Sequence, residues 1–251
     1  MSGITPRERM VLAAARRIRD EEIVFCGTGI SMIAAMAAKR IHAPNSVIFF
    51  ETGAIDSRLM ELPLSVGDPR VVTGASVGTG LVDSFAILQN PSTGSHVVAI
   101  LGAAQIDPYG NLNSTCIGDY RRPKVRFPGS GGASDAAVLA ARIMIFMKLE
   151  KRRFVKRLDY FSTPGWRHGK ERAPDRCGRP DVVITDGGTF MFDEDSRRMF
   201  LATYFPGNDP ESIAERVGFE LDTGRAVEEP SPSMESLNHL RNRIDPQHLI
   251  L

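Results

Sequence analysis

The stretch Glu22–Phe50, EIVFC-GTG-ISMIAAMAAKRI-HAPN-SVIFF, decides the fold because it places one helical segment between two apolar runs. Residues 22–26 and 46–50 are short apolar runs typical of buried strands, whereas residues 30–41 carry alanine, methionine and isoleucine at helical spacing. A strand, a crossover helix and a second strand within about 30 residues form a βαβ unit, whose strands run parallel. The sequence therefore predicts an α/β fold with a mainly parallel, open sheet flanked by helices.

The chain on either side of this unit is predicted to belong to one domain over residues 1–251. Thr5-Pro6-Arg7-Glu8 is typical of a helix N-terminus, with a capping threonine, a proline at the first helical position and a glutamate that returns a capping bond. The other predicted elements are strands at 71–73, 96–101 and 181–185, a helix over 134–148, a hairpin of 189–192 with 199–204, and helices near 210–217 and 232–244.

Composition excludes several classes of function. The 251 residues are 42% hydrophobic and 24% charged, and the net charge of +1 selects neither nucleic acid nor an anionic membrane as a partner. No apolar run approaches the ~20 residues of a membrane span, and no secretory signal is expected, because the first residues lack the continuous apolar stretch of one. Cys26, Cys116 and Cys177 are widely spaced, and the histidines lack metal-ligand spacing. We therefore expect a cytoplasmic protein with no metal, no nucleic-acid partner and no membrane partner.

Glu51 is the first candidate for chemistry because it directly follows the predicted strand at 46–50. Ligands bind at the carboxyl ends of strands in open α/β sheets. A carboxylate there can act as a nucleophile toward an activated acyl group and divide one transfer into two easier steps. The alternative is a structural glutamate that caps a helix or pairs with an arginine, and position alone leaves both interpretations open.

The second candidate is the loop Gly129-Ser130-Gly131-Gly132-Ala133, which precedes a predicted helix. Its backbone N–H groups can converge on a phosphate or on the oxyanion of an attacked thioester. The alternative is a tight turn whose glycines are set by backbone geometry alone. The basic residues at 121–126 precede the loop and can meet an anionic cofactor, whereas those at 148–157 favour a solvated or subunit-contact surface.

A competing interpretation starts from Gly74-Ala75-Ser76-Val77-Gly78, which matches the G-x-S-x-G pattern of a serine hydrolase. Such an enzyme needs a later acid and a histidine, and Asp186 with His239 or His248 are the available residues. Gly80 argues against this interpretation, because it falls inside the helix that follows the nucleophile in that motif.

Motifs in order along nearly the whole chain, from about residue 8 to 246, carry a family resemblance. They are Gly27-Thr28-Gly29, Ala38-Lys39-Arg40, Ala43-Pro44, Phe50-Glu51-Thr52-Gly53, Ser65-Val66-Gly67-Asp68, Gly102 to Asn111, Asn113-Ser114, Ile117 to Tyr120, Gly129 to Ala133, Glu150 to Phe154, Ser162 to Trp166 and Ile244-Asp245-Pro246. In these motifs the sequence resembles the family I CoA-transferases, and among them the B-type (beta) chains of the glutaconate-type subgroup.

The resemblance implies roles for three parts of the chain. Glu51 matches the family's nucleophile, which forms a glutamyl-CoA thioester, although the flanking Phe50 and Thr52 differ from the family pattern. The loop Gly129–Ala133 is implied to lie near the thioester, and Gln105 to contact the thioester and pantetheine. Coenzyme A is then a substrate, exchanged between an acyl-CoA and a carboxylic acid, and no cofactor is expected.

The resemblance also implies a partner and an alternative activity. Family members have two α/β parts and this chain corresponds to the B-type part, so an A-type (alpha) subunit is expected in a hetero-oligomer. Some relatives hydrolyse CoA esters or open CoA-linked rings, which makes a hydrolase subunit on the same fold the alternative function. A third possibility is a non-catalytic subunit that supports the A-type chain, and the presence of Glu51 counts against it.

Overall fold

The protein is described by a computed structural model over residues 3–168, 171–172 and 178–251. The chain divides into two compact units, of which the first comprises Met1–Ile100 with Ser231–Leu251 and the second Leu101–Pro230. The prediction of a single domain over residues 1–251 stays a prediction.

Both units contain helices and strands. The α-helices of the described residues are α1 Pro6–Ala15, α2 Ile30–Ile41, α3 Leu81–Gln89, α4 Pro91–Gly94, α5 Ala133–Leu139, α6 Pro210–Glu215 and α7 Met234–His239. The strands are β1 Ile23–Cys26, β2 Val47–Phe49, β3 Ala54–Ile55, β4 Val77–Gly78, β5 Val97–Gly102, β6 Gln105–Ile106, β7 Leu112–Asn113, β8 Cys116–Ile117, β9 Val125–Arg126, β10 Arg142–Phe146, β11 Arg167–His168, β12 Glu171–Arg172, β13 Arg179–Ile184, β14 Gly188–Phe192, β15 Met199–Tyr204 and β16 Val227–Glu228. A 3₁₀ helix spans Pro69–Val72, and a π-helical turn spans Leu240–Ile244.

In the first unit, β1 is the central strand and pairs in parallel with β2 on one side and β5 on the other. Ile23 lies opposite both Val47 and Val97, which fixes the register of the three strands. β3 and β4 then extend the sheet beyond β2 in antiparallel pairs. The predicted βαβ unit is confirmed, since α2 connects two parallel strands.

The helices of the first unit form where the sequence predicts them. At α1, the Thr5 hydroxyl accepts from the Glu8 N–H at 3.2 Å, and a Glu8 carboxylate oxygen accepts from the Thr5 N–H at 2.7 Å. This reciprocal pair is the predicted capping box. In α2, residues 32–38 are buried in an unbroken run. Four of these seven residues are alanines, whose small side chains let α2 pack closely against β1 and α1.

The second unit has a mixed sheet. β10 pairs in parallel with β13, β13 and β14 pair antiparallel, β14 and β15 form the predicted hairpin, and β16 is parallel to β15. The central strands of both units are therefore parallel, and the antiparallel pairs lie beside them. The prediction of an α/β fold with a mainly parallel sheet flanked by helices is confirmed.

Two predicted elements are wrong. The helix predicted over 134–148 ends at Leu139, because Ala140 has extended backbone angles, and the buried run at 142–146 becomes strand β10. The strand predicted at 71–73 is instead the end of a 3₁₀ helix, which begins where the Asp68 carboxylate accepts from the Arg70 N–H at 3.0 Å. In both places a short apolar run did not distinguish helix from strand.

None of the helices in the described part of the chain is long and apolar enough to cross a membrane. Cys26 and Cys116 are free and buried, and Cys177 lies outside the described residues.

Candidate functional site

Glu51 occupies a tight turn directly after β2, at the carboxyl end of that strand. The Gly53 N–H donates to the Phe50 carbonyl at 3.0 Å, and the Phe50 N–H donates to the Ala54 carbonyl at 3.0 Å. Glu51 and Thr52 are therefore the two central residues of a hydrogen-bonded turn between β2 and β3. The site therefore lies at the carboxyl ends of the strands, where ligands bind in open α/β sheets.

Gly53 fixes the shape of this turn. Its φ of +93° favours glycine, and a Cβ at this position would lie only 1.8 Å from the Thr79 carbonyl oxygen. The Thr79 N–H in turn donates to the Gly53 carbonyl at 2.9 Å. The turn is thereby joined to the residue that follows β4, and no larger side chain fits at position 53 without moving the backbone.

Ser84, on α3, supports Glu51 from a second side. The Ser84 Oγ lies 3.0 Å from the Glu51 carbonyl oxygen and 2.8 Å from the Leu81 carbonyl oxygen, so its one proton is shared between two acceptors. Ser84 is fully buried. Because the bond joins residues 33 positions apart, no local sequence pattern indicated it.

The Glu51 side chain itself is half-buried. Within residues 3–168, 171–172 and 178–251, no cation pairs with its carboxylate and no N–H or O–H group donates to it. The structural alternative, a glutamate that caps a helix or pairs with an arginine, is therefore not found in the described chain. A carboxylate free of partners on a rigid turn is available to attack a bound acyl group.

The glycine loop Gly129–Ala133 joins β9 to α5 in the second unit. Gly129 and Gly131 have φ values of +101° and +49°, which favour glycine. The Gly129 N–H donates to the Ser114 carbonyl at 3.1 Å. A Cβ at position 129 or 131 would meet no atom of the described chain within 4 Å. Backbone geometry therefore explains these glycines, and the space beside them is open to a ligand.

Gln105, in β6, is only 5% exposed and lies opposite Asn113 in β7. Its Oε1 accepts from the Asn113 Nδ2 at 2.8 Å and from the Asp159 N–H at 3.0 Å. The next residue after Asn113 is Ser114, whose carbonyl holds the glycine loop. Gln105 and the glycine loop, the two parts of the second unit predicted to contact the substrate, are therefore hydrogen-bonded to neighbouring residues. No acceptor for the Gln105 Nε2 is found among the described residues.

The serine-hydrolase interpretation is not supported by the local structure. Ser76 follows the 3₁₀ helix at Pro69–Val72 and precedes β4, so the strand-to-helix elbow of that motif is absent from this described segment. The Ser76 Oγ donates to the Asp56 Oδ2 at 3.2 Å. In the described part of the chain no histidine hydrogen-bonds to this hydroxyl.

The basic segment before the glycine loop is solvent-exposed. Arg121, Arg122, Lys124 and Arg126 all lie at the surface, and the Arg126 guanidinium stands 4.7 Å from the centre of the Tyr120 ring. Cation–π contact of this kind holds one of the charges in place. The segment therefore presents a concentration of positive charge in the same unit as the glycine loop.

The second basic segment is partly neutralised by Glu150. The Glu150 carboxylate binds Lys148, Arg153 and Arg152 at 2.9, 3.0 and 2.8 Å, and these hydrogen bonds lower its pKa to about 2. This network fits the predicted solvated surface. No group of three or more His, Cys, Asp or Glu side chains among the described residues is placed to hold a metal ion.

Comparison with known proteins gives consistent matches over most of the chain. The family described as "Coenzyme A transferase" matches residues 7–216. The B-type subunit of glutaconate CoA-transferase from Acidaminococcus fermentans is 41% identical over 98% of this chain and 94% of the relative. The B-type subunit of 3-oxoadipate CoA-transferase from Pseudomonas knackmussii is 32% identical over 99% and 97%. The crystal structure of glutaconate coenzyme A-transferase from A. fermentans superposes with a TM-score of 0.93 at 38% identity, over 98% of this chain and 96% of that chain.

The fold and site define an α/β protein that presents, on a hydrogen-bonded turn at the end of a parallel strand, a glutamate with no side-chain partner among the described residues. The matches above cover the sheet, the Glu51 turn and the glycine loop together. The chain belongs to the coenzyme A transferase family.

Proposed function

We propose that this chain is the B-type (beta) subunit of a CoA-transferase, which moves CoA from an acyl-CoA to a free carboxylic acid through a thioester on Glu51. The donor is a glutaconyl-CoA-like ester or another short acyl-CoA. The observation that carries the proposal is the Glu51 turn, whose backbone is held by Gly53, Thr79 and Ser84 while its carboxylate stays free. The similarity to two chains named as B-type subunits of CoA-transferases supports it.

The reaction begins when an ionised Glu51 oxygen attacks the thioester carbonyl carbon. The C–S bond breaks, CoA leaves as a thiolate, and Glu51 carries a mixed anhydride with the donor acid. The thiolate then attacks the glutamyl carbonyl carbon and displaces the donor carboxylate, which leaves a glutamyl-CoA thioester. The acceptor carboxylate reverses the two steps, so the thioester energy is conserved and the kinetics are ping-pong.

Each attack places negative charge on a carbonyl oxygen, which needs hydrogen-bond donors fixed in advance. The N–H groups of the loop Gly129–Ala133 and the free side-chain N–H₂ of Gln105 are the donors we assign to the thioester and pantetheine. The open space beside Gly129 and Gly131 supports this assignment. The exposed basic segment at 121–126 supplies charge for the phosphates of CoA.

An A-type (alpha) subunit is the partner we propose. Val77, Leu81 and Val82 are 51, 58 and 79% exposed, and they lie on β4 and α3, the two elements that hold the Glu51 turn. Exposed apolar clusters of this kind mark protein contacts. A subunit that covers them also excludes water from Glu51, which separates transfer from hydrolysis. We place the hetero-oligomer in the cytoplasm, where free cysteines such as Cys26 and Cys116 stay reduced.

Intact mass spectrometry tests the nucleophile. The chain is assembled with its A-type partner and given acyl-CoA without an acceptor acid. We expect a CoA-sized adduct on this chain that disappears in Glu51→Ala, with a loss of transfer of roughly 10³-fold or more. The matched control is Glu61→Ala, which removes a carboxylate that is 77% exposed and ten residues away in the same unit.

Three outcomes contradict the proposal in different ways. Full transfer activity in Glu51→Ala removes the carboxylate mechanism, and loss of activity in Ser76→Ala at the same time favours the serine interpretation. Formation of the adduct followed by release of free acid, with no transfer to any carboxylate acceptor, identifies the chain as a hydrolase subunit.

A further inference from the structure

The first unit contains a cavity of about 740 Å³ that the thioester chemistry does not use. It is lined by the end of α2, by Ile48, by the segment after β3 and by residues 74–76, and it is partly open to solvent. Its volume falls in the range of small-molecule sites, about 300–1,000 Å³. Glu51 and the other residues of its turn do not line it.

The polar lining carries an excess of positive charge. Lys39 and Asp56 neutralise each other, because the Lys39 Nζ lies 2.8 Å from the Asp56 Oδ1. The second oxygen of Asp56 accepts from Ser76. Arg40 and Arg58 have no acidic partner and no side-chain hydrogen bond within the described ranges of the chain. Two arginines whose guanidinium donors are unused within the described chain therefore line one cavity.

A buried hydroxyl lies in the same wall. Ser57 is 4% exposed, and its Oγ has no hydrogen-bond partner among the described residues. Buried polar groups are almost always paired, so an unpaired one indicates a missing partner. Asp56 and Leu59, on either side of Ser57 and Arg58, have φ values of +54° and +43°. Such strained backbone is retained chiefly at functional sites.

We propose that this cavity binds a small organic anion, with a phosphate or carboxylate group held by Arg40 and Arg58 and a short apolar part beside Met36 and Leu59. Guanidinium groups bind both kinds of anion through paired N–H donors. The apolar lining residues Met36, Ile48 and Leu59 supply a contact surface for the remainder of the ligand. The cavity and Glu51 differ in what they bind, because the cavity takes an anionic group whereas Glu51 needs an uncharged thioester carbonyl.

Isothermal titration calorimetry tests the site on the full chain and on the chain assembled with its A-type partner. The probes are phenyl phosphate and benzoate, which separate the two anion classes, and benzyl alcohol, which has the same ring without charge. We expect one molecule of phenyl phosphate or benzoate to bind per chain, and no binding of benzyl alcohol. Arg58→Gln and Arg40→Gln should each weaken binding by about tenfold or more.

The variants are chosen so that the fold survives. Arg58 packs its Cγ and Cδ against Gly74, and glutamine keeps both atoms. Arg40 is exposed at the end of α2. The matched control is Arg19→Gln, which removes the same charge from an exposed position that does not line the cavity and should leave affinity unchanged.

Several outcomes overturn the proposal. They are the absence of binding by either anion, an equal loss of affinity in Arg19→Gln, and affinity that is unchanged in both Arg40→Gln and Arg58→Gln. Binding to the isolated chain that disappears on assembly also overturns it, because the cavity is then filled by the partner subunit. The readout is binding, so none of these outcomes bears on Glu51 as the nucleophile.

Discussion

Ser84 and Glu51 show how the proposed nucleophile can be fixed without being neutralised. A hydrogen bond to the Glu51 carboxylate would hold it in place and would also reduce its power to attack. The Ser84 hydroxyl instead donates to the Glu51 backbone carbonyl at 3.0 Å, and Gly53 receives a bond from Thr79 on the other side of the turn. The backbone is therefore fixed while the carboxylate keeps its electron pairs for the acyl carbon.

We predict that Ser84→Ala lowers kcat about tenfold and leaves KM for acyl-CoA almost unchanged. Loss of the bond loosens the Glu51 turn, and a small displacement of a reacting atom has a large effect on rate. Ser84→Ala should also cost about 1 kcal/mol of unfolding free energy, as for one buried hydrogen bond. Steady-state kinetics and urea unfolding of the assembled enzyme measure both effects.

The matched control for Ser84 is Ser46→Ala. Ser46 is also fully buried, and its Oγ donates to the Ala43 carbonyl at 2.7 Å, away from the Glu51 turn. A similar loss of stability with unchanged kcat is expected there. If both variants lose the same fraction of kcat, the effect of Ser84 is structural and its positioning role is wrong.

At the scale of elements, α1 is tied to the C-terminal segment by one ion pair. The Arg241 Nη2 lies 2.9 Å from the Glu8 Oε2, and the Arg241 Nε binds the other carboxylate oxygen. The Glu8 side chain is only 4% exposed. The same carboxylate completes the capping box with Thr5, so one residue holds both the helix N-terminus and a chain segment 233 residues away.

We predict that Glu8→Gln lowers the unfolding free energy by about 3 kcal/mol at pH 7, since it leaves the Arg241 charge without its partner. The Arg241 hydrogen bond lowers the pKa of Glu8 below its ordinary value of 4.5. The wild-type advantage is therefore complete above pH 4.5 and is lost as the pH falls through the lower folded-state pKa. Urea unfolding between pH 7 and pH 3 measures it.

The control for Glu8 is Glu22→Gln. Glu22 also accepts a backbone hydrogen bond, from the Arg19 N–H at 2.8 Å, and is half-buried, whereas Glu8 is buried. Its loss should change stability by less than about 1 kcal/mol. If the unfolding free energies of Glu8→Gln and the wild type fall by the same amount between pH 7 and pH 3, the ion pair contributes nothing to stability.

Gly131 tests whether the glycine loop contacts the substrate. Gly131→Val should raise KM for acyl-CoA about tenfold or more, because the side chain fills the open space assigned to the substrate. The φ of +49° adds a strain of about 1–2 kcal/mol for any residue with a Cβ. Steady-state kinetics with a donor series measure the effect on KM.

Gly207→Val is the matched control for the loop. Gly207 has a φ of +93° and also faces open space in the described chain, so the valine imposes similar strain at a site with no assigned role. Stability should fall in both variants, and KM should rise in Gly131→Val alone. Unchanged donor kinetics in Gly131→Val would remove the loop from the binding site.

The sequence predicts elements well where local chemistry is explicit. The capping box at Thr5, the βαβ unit at 22–50 and the hairpin at 189–204 all formed as predicted, because caps, periodicity and turns are local signals. The prediction for residues 142–146 was wrong because a short buried run fits either a helix or a strand, and strand pairing, such as that with β13, decides between them. The position of Glu51 was predictable from its strand, whereas its support by Ser84 depends on tertiary packing.

For the whole molecule, the exposed apolar residues beside Glu51 indicate that the chain functions in an assembly. Covering such residues with a partner contributes free energy and removes water from the nucleophile in one step. The thioester proposed on Glu51 is conserved only if water stays out, so assembly and transfer should fail together. A substitution on the surface of α3 should therefore change both the association with the A-type subunit and the transfer activity.

We predict that Val82→Asp weakens association with the A-type subunit about a hundredfold, since a carboxylate buried in an apolar contact loses its hydration without gaining a partner. Val82 is 79% exposed in the free chain, so the substitution should leave the fold intact. The control is Met234→Asp on α7, which places the same charge at a residue that is 57% exposed and outside the elements holding the Glu51 turn. Sedimentation velocity measures assembly, and transfer activity in Val82→Asp should recover as the concentration of the A-type subunit rises. Normal assembly of Val82→Asp together with dissociation of Met234→Asp would place the interface on α7 and contradict the coupling between the partner contact and the nucleophile.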